Sequence, residues 1–245
     1  MERAMGGEIT VWWGPDDMVS ALGFGTEENM AAVRAMKSSL ASWHDATPVC
    51  LIDRKRLGAL AAEQGLAGYT PLERLVLATL GGVVARSGVT PADKRTLIVL
   101  ATTKGEIGSL GSAPERCDLN RTAEVVGRHF GAAHRPLLVS NACISGVSAI
   151  VIAARLIRSG RYDHVFVAGF DLLCDFIVSG FNAFKSVSPT LCRPYDASRD
   201  GLTLGEAGGA VLLTTDRELS ATGVTVAGGG ISNCLLYTSP SPRDR

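Results

Sequence analysis

Apolar residues Leu72, Leu75, Val76, Leu80, Val83 and Val84 recur at helical spacing in "PLERLVLATLGGVVARSG", which predicts a helix there. Pro71 suits its first turn and Gly88 its stop. The stretch "TEENMAAVRAMKSSL" predicts another helix, with Thr26 as N-cap and acids in the first turn. "DLNRTAEVVGRHFG" reads as a third. "SAIVIAARLIRSG" has few polar positions, so it is expected to be a helix buried all round. "EITVWWG" carries the β-branched and aromatic residues of a strand. "RTLIVLAT", "RPLLVS", "HVFVAGF" and "GGAVLLTT" are short apolar runs, as expected of strands covered on both faces. The alternation of strand and helix predicts an α/β layered fold with a mainly parallel sheet. No linker, internal repeat or low-complexity block interrupts residues 1–233.

Composition narrows the partners. In the 245 residues, 24 Lys and Arg balance 24 Asp and Glu, which gives no whole-chain argument for nucleic acid or an anionic membrane. Apolar residues make up 46% and charged residues 20%, so a sizeable core is expected. The start "MERAMGGEITVWWGPDD" is too polar for a secretory signal. The longest apolar run, "VSAIVIAARLI", is broken by Arg155 and is shorter than a membrane span. The six cysteines show no CxxC spacing, so neither a zinc site nor a thioredoxin-like pair is expected. Free thiols in a reducing cytoplasm are the expectation.

The richest chemistry lies in "LLVSNACISGVSAIVIAARLI". A buried strand ends at Ser140, a tight turn of Asn141 and Ala142 follows, and Cys143 is delivered at the start of a helix. The helix dipole and the unpaired first-turn N–H groups would favour a thiolate there. The same N–H groups can receive an oxyanion. Small residues at Ala142, Ser145 and Gly146 leave room for a close approach. This is the strand–turn–helix arrangement of a nucleophile elbow, with sulfur in place of oxygen. An inert buried core cysteine is the competing reading of the same residues. Neither "GFGTEE" nor "GGGISN" completes GxGxxG, no Gly-Lys-Ser/Thr follows a glycine loop, and no GxSxG occurs.

Several ordered motifs resemble the β-ketoacyl-acyl carrier protein synthases, the thiolase-fold condensing enzymes. "VSNACISG" resembles their nucleophile motif, "LATTKGEIG" the strand end ahead of the dimer interface, and "GRYDHVFVAGFD" the segment after the nucleophile. "GFNAFKSVSP" and "CRPYDASRDGLTLGEAGGAVLL" resemble a downstream signature. The latter carries Arg193, Pro194, Tyr195, Asp196, Arg199, Asp200, Gly201, Gly205, Glu206, Gly208 and Gly209 in the family's pattern. "MVSALGFGTEEN" fits the family's opening. Departures are mild: Asn141 stands where Thr is frequent, and Ala207 where Gly is. "SNACISG" looks closest to the branch associated with aryl-polyene pigments.

The resemblance implies a layered α-β-α-β-α fold, here mainly its N-terminal half, in a homodimer or ketosynthase heterodimer. It implies Cys143 as the nucleophile that accepts an acyl chain from a carrier-protein thioester. Phe181 aligns with an aromatic near the acyl pocket, with an ordinary core phenylalanine as the competing reading. Asp200, Gly201 and Glu206 fit a loop that shapes the core. No cofactor or metal is implied, because substrates arrive on the phosphopantetheine of an acyl carrier protein. The family also uses two histidines, in His-Gly-Thr and Gly-His motifs downstream of the cysteine. His44, His129, His134 and His164 match neither and read as surface or loop-edge residues. The implied reaction is decarboxylative Claisen condensation with a malonyl carrier protein. Alternatives are a non-catalytic partner of the chain-length-factor type and another thiolase-fold acyltransferase.

The tail explains the missing motifs. Cys234–Asp244, "CLLYTSPSPRD", is residue for residue the translation of a transposase adapter used in short-read libraries. Residues 234–245 are therefore expected to be adapter read-through rather than native chain. A natural Ser/Pro-rich tail is the other reading.

Overall fold

The computed structural model describes residues 9–44 and 47–231. The tail at 234–245 and Cys234 lie outside the described residues. In chain order the first elements are β1 (Trp12–Ser20), β2 (Gly23–Phe24), α1 (Thr26–Arg34), β3 (Ala41–Trp43) and β4 (Thr47–Cys50). Then come α2 (Arg54–Glu63), α3 (Pro71–Ser87), β5 (Thr96–Ala101), α4 (Leu119–His129) and β6 (Leu137–Val139). The last are α5 (Ser145–Arg158), β7 (His164–Asp171), α6 (Asp175–Ala183), β8 (Leu204–Gly205) and β9 (Ala207–Thr214).

The main sheet runs β2-β1-β9-β7-β5-β6, and a small second sheet runs β3-β4-β8. β5 pairs in parallel with β6 and β7, but β9 is antiparallel to both β7 and β1. The sheet is thus mixed rather than mainly parallel. Short apolar runs do not encode direction, and β9 arrives by a long connection that lets it enter between β1 and β7 reversed. Side-chain alternation then sorts the core onto two faces. Ile98, Leu100, Phe166, Ala168, Phe170, Ala210 and Leu212 face α2, α3 and α4. Leu97, Val99, Ala101, Val165, Val167, Val211 and Leu213 face α5. The result is a three-layer α-β-α body.

Most predicted elements form, with informative shifts. α3 spans Pro71–Ser87, and Thr70 and Glu73 close a reciprocal capping box at its start. Gly88 ends it at φ 65, in the left-handed region that glycine adopts without strain. Thr26 is not an N-cap: Gly25 holds that place, and the Thr26 hydroxyl donates to Asp16 Oδ1 at 2.7 Å. α1 stops at Arg34, well short of Leu40, with Met36 just beyond it at φ 50. The first strand is displaced forward, running from Trp12 through Pro15 to Ser20. A register shift between Trp13 and Asp16 accommodates the proline, which can donate no ladder bond.

Two burial expectations are corrected. Among the described residues β6 is an edge strand with Leu137 exposed, because it stands at the end of the sheet order with β5 as its partner. α5 is not buried all round. Ala149, Ala153, Ala154 and Ile157 pack on the sheet, while Ile144 just before the helix and Val147 within it are 42% and 63% exposed. A single sheet covers only one side of an apolar helix. Residues 226–229 cross part of the remainder, accepting hydrogen bonds on their carbonyls from Arg155 and Arg158.

One acid pair has a pH consequence. The Arg56 guanidinium grips the Glu28 carboxylate with two bonds of 2.8 Å, and the Phe24 N–H adds a third at 3.0 Å. The pair holds the Glu28 pKa at about 2, below its ordinary 4.5. The unfolded chain therefore binds this proton first as pH falls, so the stabilisation is full above the ordinary range and lost on the way to the folded value. The pair is half exposed and its effect is correspondingly small. Thermal melts between about pH 6 and about pH 3 should show an acid-dependent loss of stability that Arg56→Gln makes shallower. Identical pH slopes for the two proteins would rule the pair out as a contributor.

Candidate active site at the carboxyl end of the sheet

β5, β6 and β7 run parallel, so their carboxyl ends open on one side, the usual location of sites in open α/β sheets. β6 ends at Val139, and the chain reverses through Ser140, Asn141 and Ala142 into α5. Ala142 sits at φ 46, a left-handed conformation that costs a non-glycine residue energy. The turn is held by Ser145. Its Oγ accepts from the Asn141 N–H at 2.8 Å and donates to the Ala142 carbonyl at 2.6 Å. Cys143, at the apex, is exposed. It is therefore not a buried core cysteine. The N-cap of α5 is Ile144, which has no side-chain oxygen with which to cap the first turn.

The neighbouring strand ends are tied to this turn. The Thr102 N–H donates to the Val139 carbonyl at 3.3 Å, and Ser140 Oγ donates to the Thr103 carbonyl at 3.4 Å. Asp171, the last residue of β7, accepts from Thr102 Oγ1 at 2.9 Å and from the Thr103 N–H at 3.1 Å.

Phe181 lies on α6, which leaves the same end of the sheet after β7. It is half-buried and lines an apolar pocket of about 520 Å³ with Phe176, Ile177 and Phe184. Cys143 is not among the residues lining that pocket. The structure thus brings the two to one end of the sheet without packing one on the other. α6 is pinned from the side by the β3–β4 hairpin. Trp43 Nε1 donates to Asp175 Oδ1 at 2.9 Å, His44 Nε2 lies 2.8 Å from the same oxygen, and Asn182 Nδ2 donates to Thr47 Oγ1 at 2.9 Å.

The downstream signature is scaffolding. Glu206 has a fully buried side chain. Its carboxylate accepts from the Ile52 N–H at 3.1 Å and the Leu173 N–H at 3.0 Å, and it pairs with Arg54. It therefore joins the small sheet to the segment leading into α6. Asp200 accepts from Ser188 Oγ at 2.7 Å and pairs with Arg193 at 3.3 Å. Gly201 has φ 154, and a Cβ there would meet the Ser188 nitrogen at 2.4 Å. Asp200 and Gly201 thus hold the loop between Ser188 and Leu202, and Glu206 ties the segments on either side of the small sheet.

None of the four histidines lies at the elbow. His164 and His134 belong to the amino ends of β7 and β6, the opposite end of the sheet. His164 is partly buried at the loop edge. It opens β7, its Nδ1 lies 2.9 Å from Thr214 Oγ1, and burial lowers its pKa. His129 ends α4 beside the Tyr69 hydroxyl, 3.1 Å away, and burial lowers its pKa too. His44 is exposed beside Asp175. Sequence reading missed Asp171, Thr102 and Lys104, because a loop held by one carboxylate leaves no periodic signature.

An exposed thiol thus stands on a left-handed strand–turn–helix elbow, at the carboxyl end of a sheet covered on both faces. Comparison with known proteins gives the family. Residues 63–218 match the model for the beta-ketoacyl synthase, N-terminal domain. The chain belongs to the β-ketoacyl synthase family. It is 30% identical over 214 residues to nodulation protein E of Rhizobium meliloti (strain 1021), covering 78% of this chain and 51% of that protein. The chain thus spans about half the length of that curated relative. Among solved structures, a ketosynthase in complex with its chain length factor from Xenorhabdus doucetiae matches with a TM-score of 0.67 at 21% identity, over 88% of this chain and 60% of that one. A beta-ketoacyl synthase from Burkholderia phymatum STM815 matches with a TM-score of 0.70 at 20% identity, over 84% and 59%. These likenesses show the thiolase-like fold. The three layers described above are part of its α-β-α-β-α arrangement.

Two measurements follow from the geometry. Glu206→Ala should destabilise the protein by roughly 3 kcal/mol or more, since it leaves the buried Ile52 and Leu173 N–H groups without their acceptor. A shift in the urea midpoint worth less than about 1 kcal/mol would contradict that role. Iodoacetamide should modify Cys143 before Cys50, Cys117, Cys174 and Cys192, which are all partly covered. Uniform labelling in peptide mass spectrometry would remove the case for an activated elbow.

Proposed function

We propose that this chain is the N-terminal portion of a β-ketoacyl-acyl carrier protein synthase, with Cys143 as its acyl acceptor. The observation that carries the reading is the exposed Cys143 thiol, set by the left-handed Ala142 turn at the start of α5. In the proposed reaction the Cys143 thiolate attacks the carbonyl of an acyl thioester presented by an acyl carrier protein. The first-turn N–H groups of α5 would stabilise the oxyanion. Collapse of the tetrahedral species forms the Cys143 thioester and expels the phosphopantetheine thiolate. The substrate brings its own carrier arm, so no further cofactor is called for.

Condensation then needs a malonyl carrier protein, loss of carbon dioxide and attack of the resulting enolate on the Cys143 thioester. The histidines the family uses for that step are proposed to lie in a continuation of the reading frame beyond Asn233, with 234–245 as adapter read-through. The full-length protein would work as a homodimer or ketosynthase heterodimer in the cytoplasm. Among the described residues no helix is long and apolar enough to cross a membrane. The "SNACISG" motif supports the aryl-polyene branch within this proposal. Cys143 weighs against a non-catalytic chain-length-factor role, since such partners typically lack the nucleophile.

The deciding experiment is a sequencing read of the source DNA across the Asn233 codon, primed from well outside. The frame is expected to run on into His-Gly-Thr and Gly-His motifs. A stop after Arg245 would overturn the continuation and move a non-catalytic partner role to the front. The purified 245-residue chain should form no β-ketoacyl product from acyl and malonyl carrier proteins. Robust condensation by it would refute the assignment of the missing step.

A further inference from the structure

Asp171 ends β7 with an unusual load on one carboxylate. It accepts from the Thr102 hydroxyl at 2.9 Å and the Thr103 N–H at 3.1 Å, and Lys104 Nζ lies 3.0 Å from its Oδ1. Three consecutive residues of the loop after β5 are thereby fastened to a single side chain on the neighbouring strand. The Lys104 side chain is only 14% exposed, so its ammonium needs that counter-charge. Lys104 Nζ also lies 3.2 Å from Thr103 Oγ1, and the Gly105 N–H closes the loop on Thr102 Oγ1 at 3.0 Å.

The same loop is the platform for the elbow. Thr102 binds the Val139 carbonyl and Thr103 takes the Ser140 hydroxyl, so both contacts fall within four residues of Cys143. Ala142 holds its strained φ only while the flanking chain is fixed. We propose that Asp171, through its ion pair with Lys104, is a positioning residue for the Cys143 thiol. This inference rests on Cys143 being the nucleophile. It adds a device outside the elbow motif: the charge of Asp171 fixes the Thr102–Lys104 loop, the loop fixes the end of β6, and that end aims the thiol. An amide at position 171 keeps the shape but leaves Lys104 without its partner and frees the loop.

The test is residue-resolved labelling of the 245-residue chain with iodoacetamide across a pH series, with Cys50, in the small sheet, as the internal reference. Asp171→Asn and Lys104→Met should each slow Cys143 labelling on the order of tenfold and alter its pH profile, leaving Cys50 unchanged. Lys104→Arg, which keeps the ion pair, should restore the wild-type rate. A lower melting temperature in Asp171→Asn with wild-type Cys143 labelling would reduce Asp171 to a structural role and overturn the inference. If Asp171→Asn does not fold, the Lys104 variants decide: equal Cys143 rates for Met and Arg overturn it. Failure of the nucleophile reading has a separate signature, namely wild-type Cys143 labelling no faster than Cys50, and the inference falls with it.

Discussion

Burial of β9, β7 and β5 on both faces is the constraint from which the rest follows. Each of these strands sends alternate apolar residues to opposite sides, so the sheet needs a helical layer on each. α3 provides one cover and α5 the other. α5 can lie close because alanines, Ala149, Ala153 and Ala154, face the strands. Its position is therefore set by packing along its length, and Cys143 at its amino end inherits that position. Rigid placement of the thiol is a by-product of covering the sheet.

Around this body the polar groups act as ties between distant segments. Glu206 links residues near 52 and 173, and Asp171 links the ends of β5 and β7. Both are carboxylates at strand ends, where backbone N–H groups run out of ladder partners. The loops that bear the site are thus held by a few charge-assisted bonds rather than by a large apolar contact.

The fold was legible where periodicity is strong. α3, α4 and the apolar strands β5, β7 and β9 stand where the spacing of Leu, Val and Ile put them. Cys143 was legible because an elbow is local: strand, turn and helix are consecutive in the chain. Strand direction was not, since the reversal of β9 depends on its neighbours in space. The displacement of β1 was hidden because Pro15, Asp16 and Asp17 look like a turn and are absorbed by a register shift. α2, α6 and the two-residue strands are too short or too weakly patterned to stand out. The exposed side of α5 was misjudged because an apolar helix does not state how many layers cover it. Glu206 could be placed as scaffolding through the motif it belongs to, whereas the segments that carry Asp171 and Lys104 were recognised without either residue standing out within them.

The place of β9 has a consequence for synthesis. Among the described residues it is the last strand of the main sheet to be made, yet it lies between β1, the first, and β7. Until residue 214 has left the ribosome, β1 has no partner but β2, and β7 offers a bare edge. Between the completion of β7 and that of β9, the nascent chain therefore carries two open strand edges, a state prone to pairing with other chains. Closure joins residues about 200 positions apart, so it is a late, non-local step and belongs to the slow class of folding events.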